Sequence, residues 1–285
     1  MIKEWLQEYQ PENSDETLAA LREIMQEITL AALSRTDFFE KAAFYGGTAL
    51  RIFYGLERYS EDLDFSLLNS DPDFRLEPYF PSIQTEFEAV GITVSLGEKK
   101  KTADSKVESA FLKTETISNE LVLEGIVKQS EIKTNKNIKI KIEIDTQPPL
   151  NFDTEEKLMI RPFSFYVKCF SLSSLFARKL HALLFRKWKN RVKGRDWYDL
   201  EWYIRKGVQL DAAHFLERAK DSGDWPDESI SNEQILNLLK EKIKSVSFNG
   251  IREDVGRFVK DDSQIQLWNA KYFTDLIEKL KFKPK

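Results

Sequence analysis

A chain of 285 residues, 41% apolar and 12% aromatic, carries enough apolar surface for one large core or two modest ones, which excludes a disordered polymer. A net charge of −4 excludes a wholly basic nucleic-acid coat, and no run nears the ~20 apolar residues of a membrane helix. One cysteine, Cys169 in an apolar stretch, and two histidines, His181 and His214, exclude an intramolecular disulfide and a zinc centre of histidine and cysteine ligands. The opening MIKEWLQEYQPENSDE is acidic and lacks the apolar core of a signal peptide, so a cytoplasmic protein is expected.

In chain order, Ser14 followed by Asp15 and Glu16 marks a helix start, and Leu18, Leu21, Ile24, Met25 and Ile28 recur at helical spacing to about Leu33. A short helical turn over 36–41 precedes an apolar strand, Ala42 to Tyr45, then a Gly46-Gly47 turn and a short helix from Thr48 to Tyr54. A strand that turns through glycines into a helix aims unpaired N–H groups and the positive end of the helix dipole at one point, which suits phosphate. In the next strand Leu63, Phe65 and Leu67 alternate with Asp62, Asp64 and Ser66. Two aspartates two apart on a strand project from one face, where both can hold hard cations through oxygen. Either signal alone is ordinary, since Gly-Gly is commonly a turn and Asp-x-Asp a solvated face. Together, about fifteen residues apart, they offer a phosphate cradle beside a dicarboxylate, the requirement of nucleotidyl transfer.

At these residues the chain resembles a known family. Gly46-Gly47-Thr48-Ala49-Leu50-Arg51, followed by Arg58-Tyr59-Ser60-Glu61-Asp62-Leu63-Asp64-Phe65, resembles the AbiEii/AbiGii (MenT-like) toxin branch of the polymerase-beta-type nucleotidyltransferase superfamily. The resemblance implies an α/β (α+β) fold, a mixed sheet with flanking helices, then an all-helical lobe. It sets a catalytic lobe at 1–169 and a helical lobe at 170–285.

Past Leu67, 69–73 is a turn, 83–90 a helix ending at Gly91, 92–96 a strand and 107–114 another. Between the last two, Glu98-Lys99-Lys100-Lys101-Thr102 is an exposed hairpin loop or, alternatively, a nucleic-acid contact. Residues 115–135 fit no element clearly. Ile138 to Asp145 has isoleucine at every even position and Lys139, Lys141, Glu143 and Asp145 at the odd ones, the clearest strand in the chain. By resemblance a strand here supplies the third metal carboxylate. Glu143 matches the family's Lys-Ile-Glu-Ile, Asp145 shares its face, and an exposed salt-bridged face is the alternative.

Ser171 to Ser174 is rich in helix N-cap candidates, and the helix that follows contains Arg178-Lys179-Leu180-His181-Ala182-Leu183, similar to the family's Lys-Leu-x-Ala-Leu element. That similarity implies that Lys179 holds the triphosphate, a task suited to a mobile point charge. From Arg178 to Arg195 there are eight basic residues (Arg178, Lys179, Arg186, Lys187, Lys189, Arg191, Lys193, Arg195) and no acidic one, with Trp188 available to stack on a base. Such a run is either a solvated loop or a site for a polyphosphate acceptor. Arg195-Asp196-Trp197-Tyr198-Asp199-Leu200 looks like the family's Arg-Asp-x-x-Asp-Leu element. It opens a helix to Lys206, and the resemblance makes Asp196 essential, by fixing the lysine or the acceptor strand. Helices over 212–221, 231–246 from Ser231, and 264–281 complete the lobe.

Taken together, the resemblance implies a nucleotidyltransferase using an NTP with Mg²⁺ or Mn²⁺. Asp62, Asp64 and Glu143 are the metal ligands, and Asp62, Asp64, Lys179 and Asp196 the catalytic residues, with Lys179 and Asp196 brought to the cleft by the helical lobe. Gly46, Gly47, Thr48, Arg51, Ser60 and Lys179 bind the nucleotide. The acceptor is an RNA, the tRNA 3′ end, met by the basic segment 178–195. The setting is the toxin of a toxin–antitoxin or phage abortive-infection system, neutralised by a separate antitoxin. Two alternatives stand beside this: transfer to a small molecule such as an aminoglycoside, and an inactive module that binds RNA or a partner.

Overall fold

Isoleucines at 138, 140, 142 and 144 must leave water together, and a sheet forms around the strand that carries them. The computed structural model describes residues 2–98, 107–114, 138–186 and 193–284. Lys99 to Thr102, the 115–135 stretch, and Lys187, Trp188, Lys189 and Arg191 of the basic run lie outside the described residues. The chain forms two compact units, one of Met1–Ala49, Ser60–Pro148 and Glu156–Cys169, the other of Leu50–Tyr59, Pro149–Glu155 and Phe170–Lys285.

In the first unit, helices α1 (Ile2–Glu8), α2 (Ser14–Ser34) and α3 (Phe38–Lys41) lead into strand β1 (Ala42–Tyr45) and the start of helix α4 (Gly46–Tyr54), whose residues from Leu50 onward count with the second unit. Strand β2 (Asp62–Leu67), helix α5 (Phe80–Ala89) and strands β3 (Ser95–Glu98), β4 (Val107–Thr114), β5 (Ile138–Asp145), β6 (Thr154–Met159) and β7 (Phe165–Phe170) follow. The sheet order is β3-β4-β5-β2-β1-β7-β6. β2 lies antiparallel to β1 and parallel to β5, so both neighbours fix its register. Leu63, Phe65, Ile142 and Ile144 are buried on one face, where Phe38 meets Phe65 edge-on at 4.9 Å, and α2 packs against α5 and β5. Alternation then turns Asp62, Asp64, Lys141 and Glu143 to the other face.

The second unit is mainly helical: α6 (Leu172–Phe185), α7 (Gly194–Arg205), α8 (Ala212–Asp221), α9 (Asn232–Ser245), α10 (Phe248–Val255) and α11 (Ala270–Ile277), with a two-stranded ladder of β8 (Gln209–Leu210) and β9 (Lys281–Phe282). Short polar side chains start most of these helices: Ser171, Asp211, Ser231, Ser247 and Asn269 each accept a backbone N–H of the first turn. Trp197, Trp268 and Phe273 interlock in the core, and the Trp268 indole N–H donates to Glu201 at 2.9 Å. Among the described residues no helix is long and apolar enough to cross a membrane.

Several elements depart from the sequence expectation. Asn13, one residue before Ser14, caps α2 by accepting the Glu16 N–H at 2.9 Å. The 92–96 strand moves to Ser95–Glu98, since pairing with β4 sets its register while Ile92 and Val94 pack from a loop. The 264–281 helix divides into a 3₁₀ turn at Gln264–Leu267 and α11, because Asn269 caps a new helix. β6, with α1 and α10, has no counterpart in the sequence reading.

At the start of α7, Gly194 donates its N–H to Asp254 of α10 at 2.9 Å, and a Cβ there would collide with the Ile251 carbonyl. Gly194→Ala is expected to cost about 1–3 kcal/mol, read as a lower midpoint in urea unfolding.

Candidate active site

The first unit assembles its candidate residues at the β1–α4 corner. Gly46 has φ +88°, a conformation L side chains avoid, and a Cβ added to it would run into the Asp64 side chain. The glycine is therefore required twice, by the turn and by the carboxylate pressed against it. Thr48 is buried and donates its hydroxyl to the Asp62 carbonyl at 2.5 Å, tying the first turn of α4 to β2. Ser60 accepts from the Gln26 side chain at 3.2 Å.

Across the parallel ladder Asp62 stands opposite Lys141, Asp64 opposite Glu143 and Ser66 opposite Asp145. Paired residues on neighbouring strands share a face at about 4.8 Å, so Glu143 belongs to the row of Asp64, and Asp145 lies one row further along. Glu143 is ion-paired with Lys141 on its own strand. Among the described residues no three histidine, cysteine, aspartate or glutamate side chains gather closely enough to hold a metal. The donor chemistry nonetheless fits a hard divalent cation: two aspartates of one strand face, with a third carboxylate in register that would have to exchange Lys141 for the ion.

In the second unit, the Arg51 guanidinium donates to the Leu56 and Glu57 carbonyls and lies over the Tyr59 ring, holding the loop that follows α4. Arg58, at the end of that loop, is 1% exposed and grips Asp199 of α7 with both prongs, Nε to Oδ1 at 2.6 Å and Nη2 to Oδ2 at 2.7 Å. Lys179 of α6 adds its Nζ to the same Oδ2 at 2.8 Å. Burial alone would raise the Asp199 carboxyl, but Arg58 and Lys179 override it and hold the group at about 2, below the ordinary 3.8.

Asp196, one turn earlier and 4% exposed, has no side-chain hydrogen bond or ion pair among the described residues. The lysine is fixed by Asp199, and not by Asp196. Burial, reinforced by Lys179, Arg186 and Arg195, brings Lys193 down to about 8 against the opposing pull of Asp196. Arg58 stands in the first signature, but its polar neighbours Glu57, Tyr59, Ser60 and Glu61 give no sign in the sequence that it is buried. Arg178, Arg186 and Arg195 of the basic run are described here too; Arg178 lies over Phe170 at 5.2 Å and Arg195 over Phe258 at 4.1 Å.

Gly46→Ala is expected to cost more than about 2 kcal/mol and to displace Asp64, seen as a lower melting temperature together with lost transfer activity. Removing one partner of a buried pair leaves the other uncompensated, so Arg58→Met is expected to destabilise by about 3–5 kcal/mol. The Asp199 carboxyl is depressed by folding, so the stability it contributes is complete above about pH 4 and lost as pH falls towards 2. Acid titration of unfolding should show that loss, and Arg58→Met should shrink it.

Comparison with known proteins gives a family and a fold. No curated protein sequence matches the chain. Among solved structures, MenT4, a nucleotidyltransferase toxin from Mycobacterium tuberculosis H37Rv, is similar with a TM-score of 0.60 and 16% identity over 98% of this chain and 89% of that one. JHP933 from Helicobacter pylori is similar with a TM-score of 0.50 and 18% identity over 91% of this chain and 88% of that one. At such identities the likeness is one of fold. A family model described as nucleotidyl transferase AbiEii toxin, type IV toxin–antitoxin system, matches residues 28–278, and the chain belongs to that family of nucleotidyltransferases.

Proposed function

We propose that this nucleotidyltransferase moves a nucleotidyl group from an NTP to the 3′ end of an RNA, a tRNA, in a reaction dependent on Mg²⁺ or Mn²⁺, and that this arrests translation as the toxin of a toxin–antitoxin or abortive-infection pair. The observation that carries the reading is the Gly46–Asp64 corner. An acid pressed against a left-handed glycine at a helix N-terminus, with Asp62 on its face and Glu143 in register, is an arrangement for cation-bound phosphate.

Asp62 and Asp64 would hold the cation, with Glu143 as third ligand. A divalent ion there supplies neutralisation of the phosphoryl oxygens. Transfer forms a bond from the acceptor's 3′ oxygen to the α-phosphorus and breaks the bond to the β-phosphate, so pyrophosphate leaves and the hydroxyl proton passes to solvent or a nearby base. Gly46, Gly47, Thr48 and Ser60 contact phosphate, and Lys179 binds the triphosphate as a point charge. Arg51 belongs to the same nucleotide-binding set, and its guanidinium also donates to the Glu57 carbonyl of the loop after α4. The basic run 178–195 supports a polyanionic acceptor, since eight positive charges without an acid stand in a chain of net −4. The cytoplasm is the compartment that holds such an acceptor, and a separate antitoxin protein is the partner the family implies.

The test is incubation of the purified protein with total tRNA and each labelled NTP, with Mg²⁺ or Mn²⁺. Label is expected on the tRNA 3′ end with the wild type and at background with Asp64→Ala. The divalent cation should raise the melting temperature of the wild type and leave Asp64→Asn unmoved. Label transfer undiminished in Asp64→Ala would overturn the site.

A further inference from the structure

We propose that Asp199, locked by Arg58, is a positioning residue whose task is to seat the Lys179 ammonium for the phosphates of the nucleotide, an inference that rests on the reading above.

The argument starts from charge. A buried arginine–aspartate pair is neutral and complete, because the guanidinium fork satisfies both carboxylate oxygens. Here a third charged group joins it: Lys179 donates to Oδ2 at 2.8 Å, which leaves the set with one net positive charge. Arg58 and Asp199 are closed off, with side chains 2% and 0% exposed, whereas the Lys179 side chain keeps 19% of its surface. The net charge therefore stands at the one member that can reach a ligand.

Lysine has three N–H donors, and Asp199 uses one. The remaining two are held in direction by an acceptor that cannot move. A purely structural pair has no need of the lysine, whose ordering costs side-chain freedom. An anion-binding ammonium gains from the arrangement, because a pre-set donor loses less entropy when phosphate arrives. The two aspartates of the Arg-Asp-x-x-Asp-Leu element thus divide their work: Asp199 aims the lysine, and Asp196, without a side-chain partner among the described residues, remains available for another role.

The test separates aiming from folding. In Arg58→Met/Asp199→Leu the buried pair becomes apolar at similar volume, a change that is commonly neutral for stability. The melting temperature is expected to stay near that of the wild type. ATP, CTP, GTP and UTP, each with Mg²⁺, are titrated calorimetrically, and the nucleotide that the wild type binds is expected to bind about tenfold more weakly, the scale of one charge-assisted hydrogen bond. Its KM should rise by the same factor with little change in kcat. In a Lys179→Ala background the double substitution should have no further effect on affinity. Should the apolar pair fail to fold, Asp199→Glu keeps the charge, displaces it by one methylene, and is expected to raise the nucleotide KM likewise. Unchanged affinity in a folded variant overturns the positioning role and leaves the function standing. Absence of binding of any of the four nucleotides to the wild type overturns both.

Discussion

The register between β2 and β5 is the constraint on which the first unit depends. Parallel pairing sets Leu63 against Ile142 and Phe65 against Ile144 on the buried face, and the same pairing sets Asp64 against Glu143 on the other. A slip of one residue would bury acids and expose isoleucines, so the energy that forms the core also fixes the acid row. β1 adds the second restraint: Tyr45 pairs with Asp64, which brings Gly46 to the carboxylate. Placement of the acids is thus a by-product of core packing.

The second unit solves a different problem, keeping charged groups out of water. Arg58, Asp199 and Lys179 come from three separate elements and are joined through one carboxylate. Isolated, each would pay heavily for desolvation; together they neutralise all but one unit of charge. Around them the core is aromatic, with Phe176 stacked on Tyr203 at 4.3 Å one turn past Asp199. Those rings exclude solvent, which by itself would favour the neutral acid, and Arg58 and Lys179 keep Asp199 ionised in spite of it.

Local patterns made the parts of the fold that depend on local chemistry legible in the sequence. β2 and β5 announce themselves by alternation, and the Gly46 corner by its glycines. α7 ends where Gly207 takes φ +68°, the usual role of glycine after a helix. β6 was not legible because TEEKLM is an edge strand that buries only its last residue, so it carries no clear apolar face. The division at 264–281 is hidden in the sequence because apolar spacing continues across Asn269, and only the side-chain cap marks the new start. Of the site, Asp62, Asp64, Lys179 and Asp196 stand out as motif residues. The Arg58–Asp199 bond has no local signature, for the partners lie 141 positions apart and neither predicts the other.

That separation bears on how the protein is made. The second unit borrows Leu50–Tyr59 from the early part of the chain and cannot be completed until α7 has left the ribosome. At roughly 5–20 residues per second, Arg58 waits on the order of ten seconds for its carboxylate. Until then the lysine has no seat, so a nascent or truncated chain lacks the aimed charge of the finished one. In a member of a toxin family, that wait is an interval in which the chain exists without its completed Arg58–Asp199–Lys179 set.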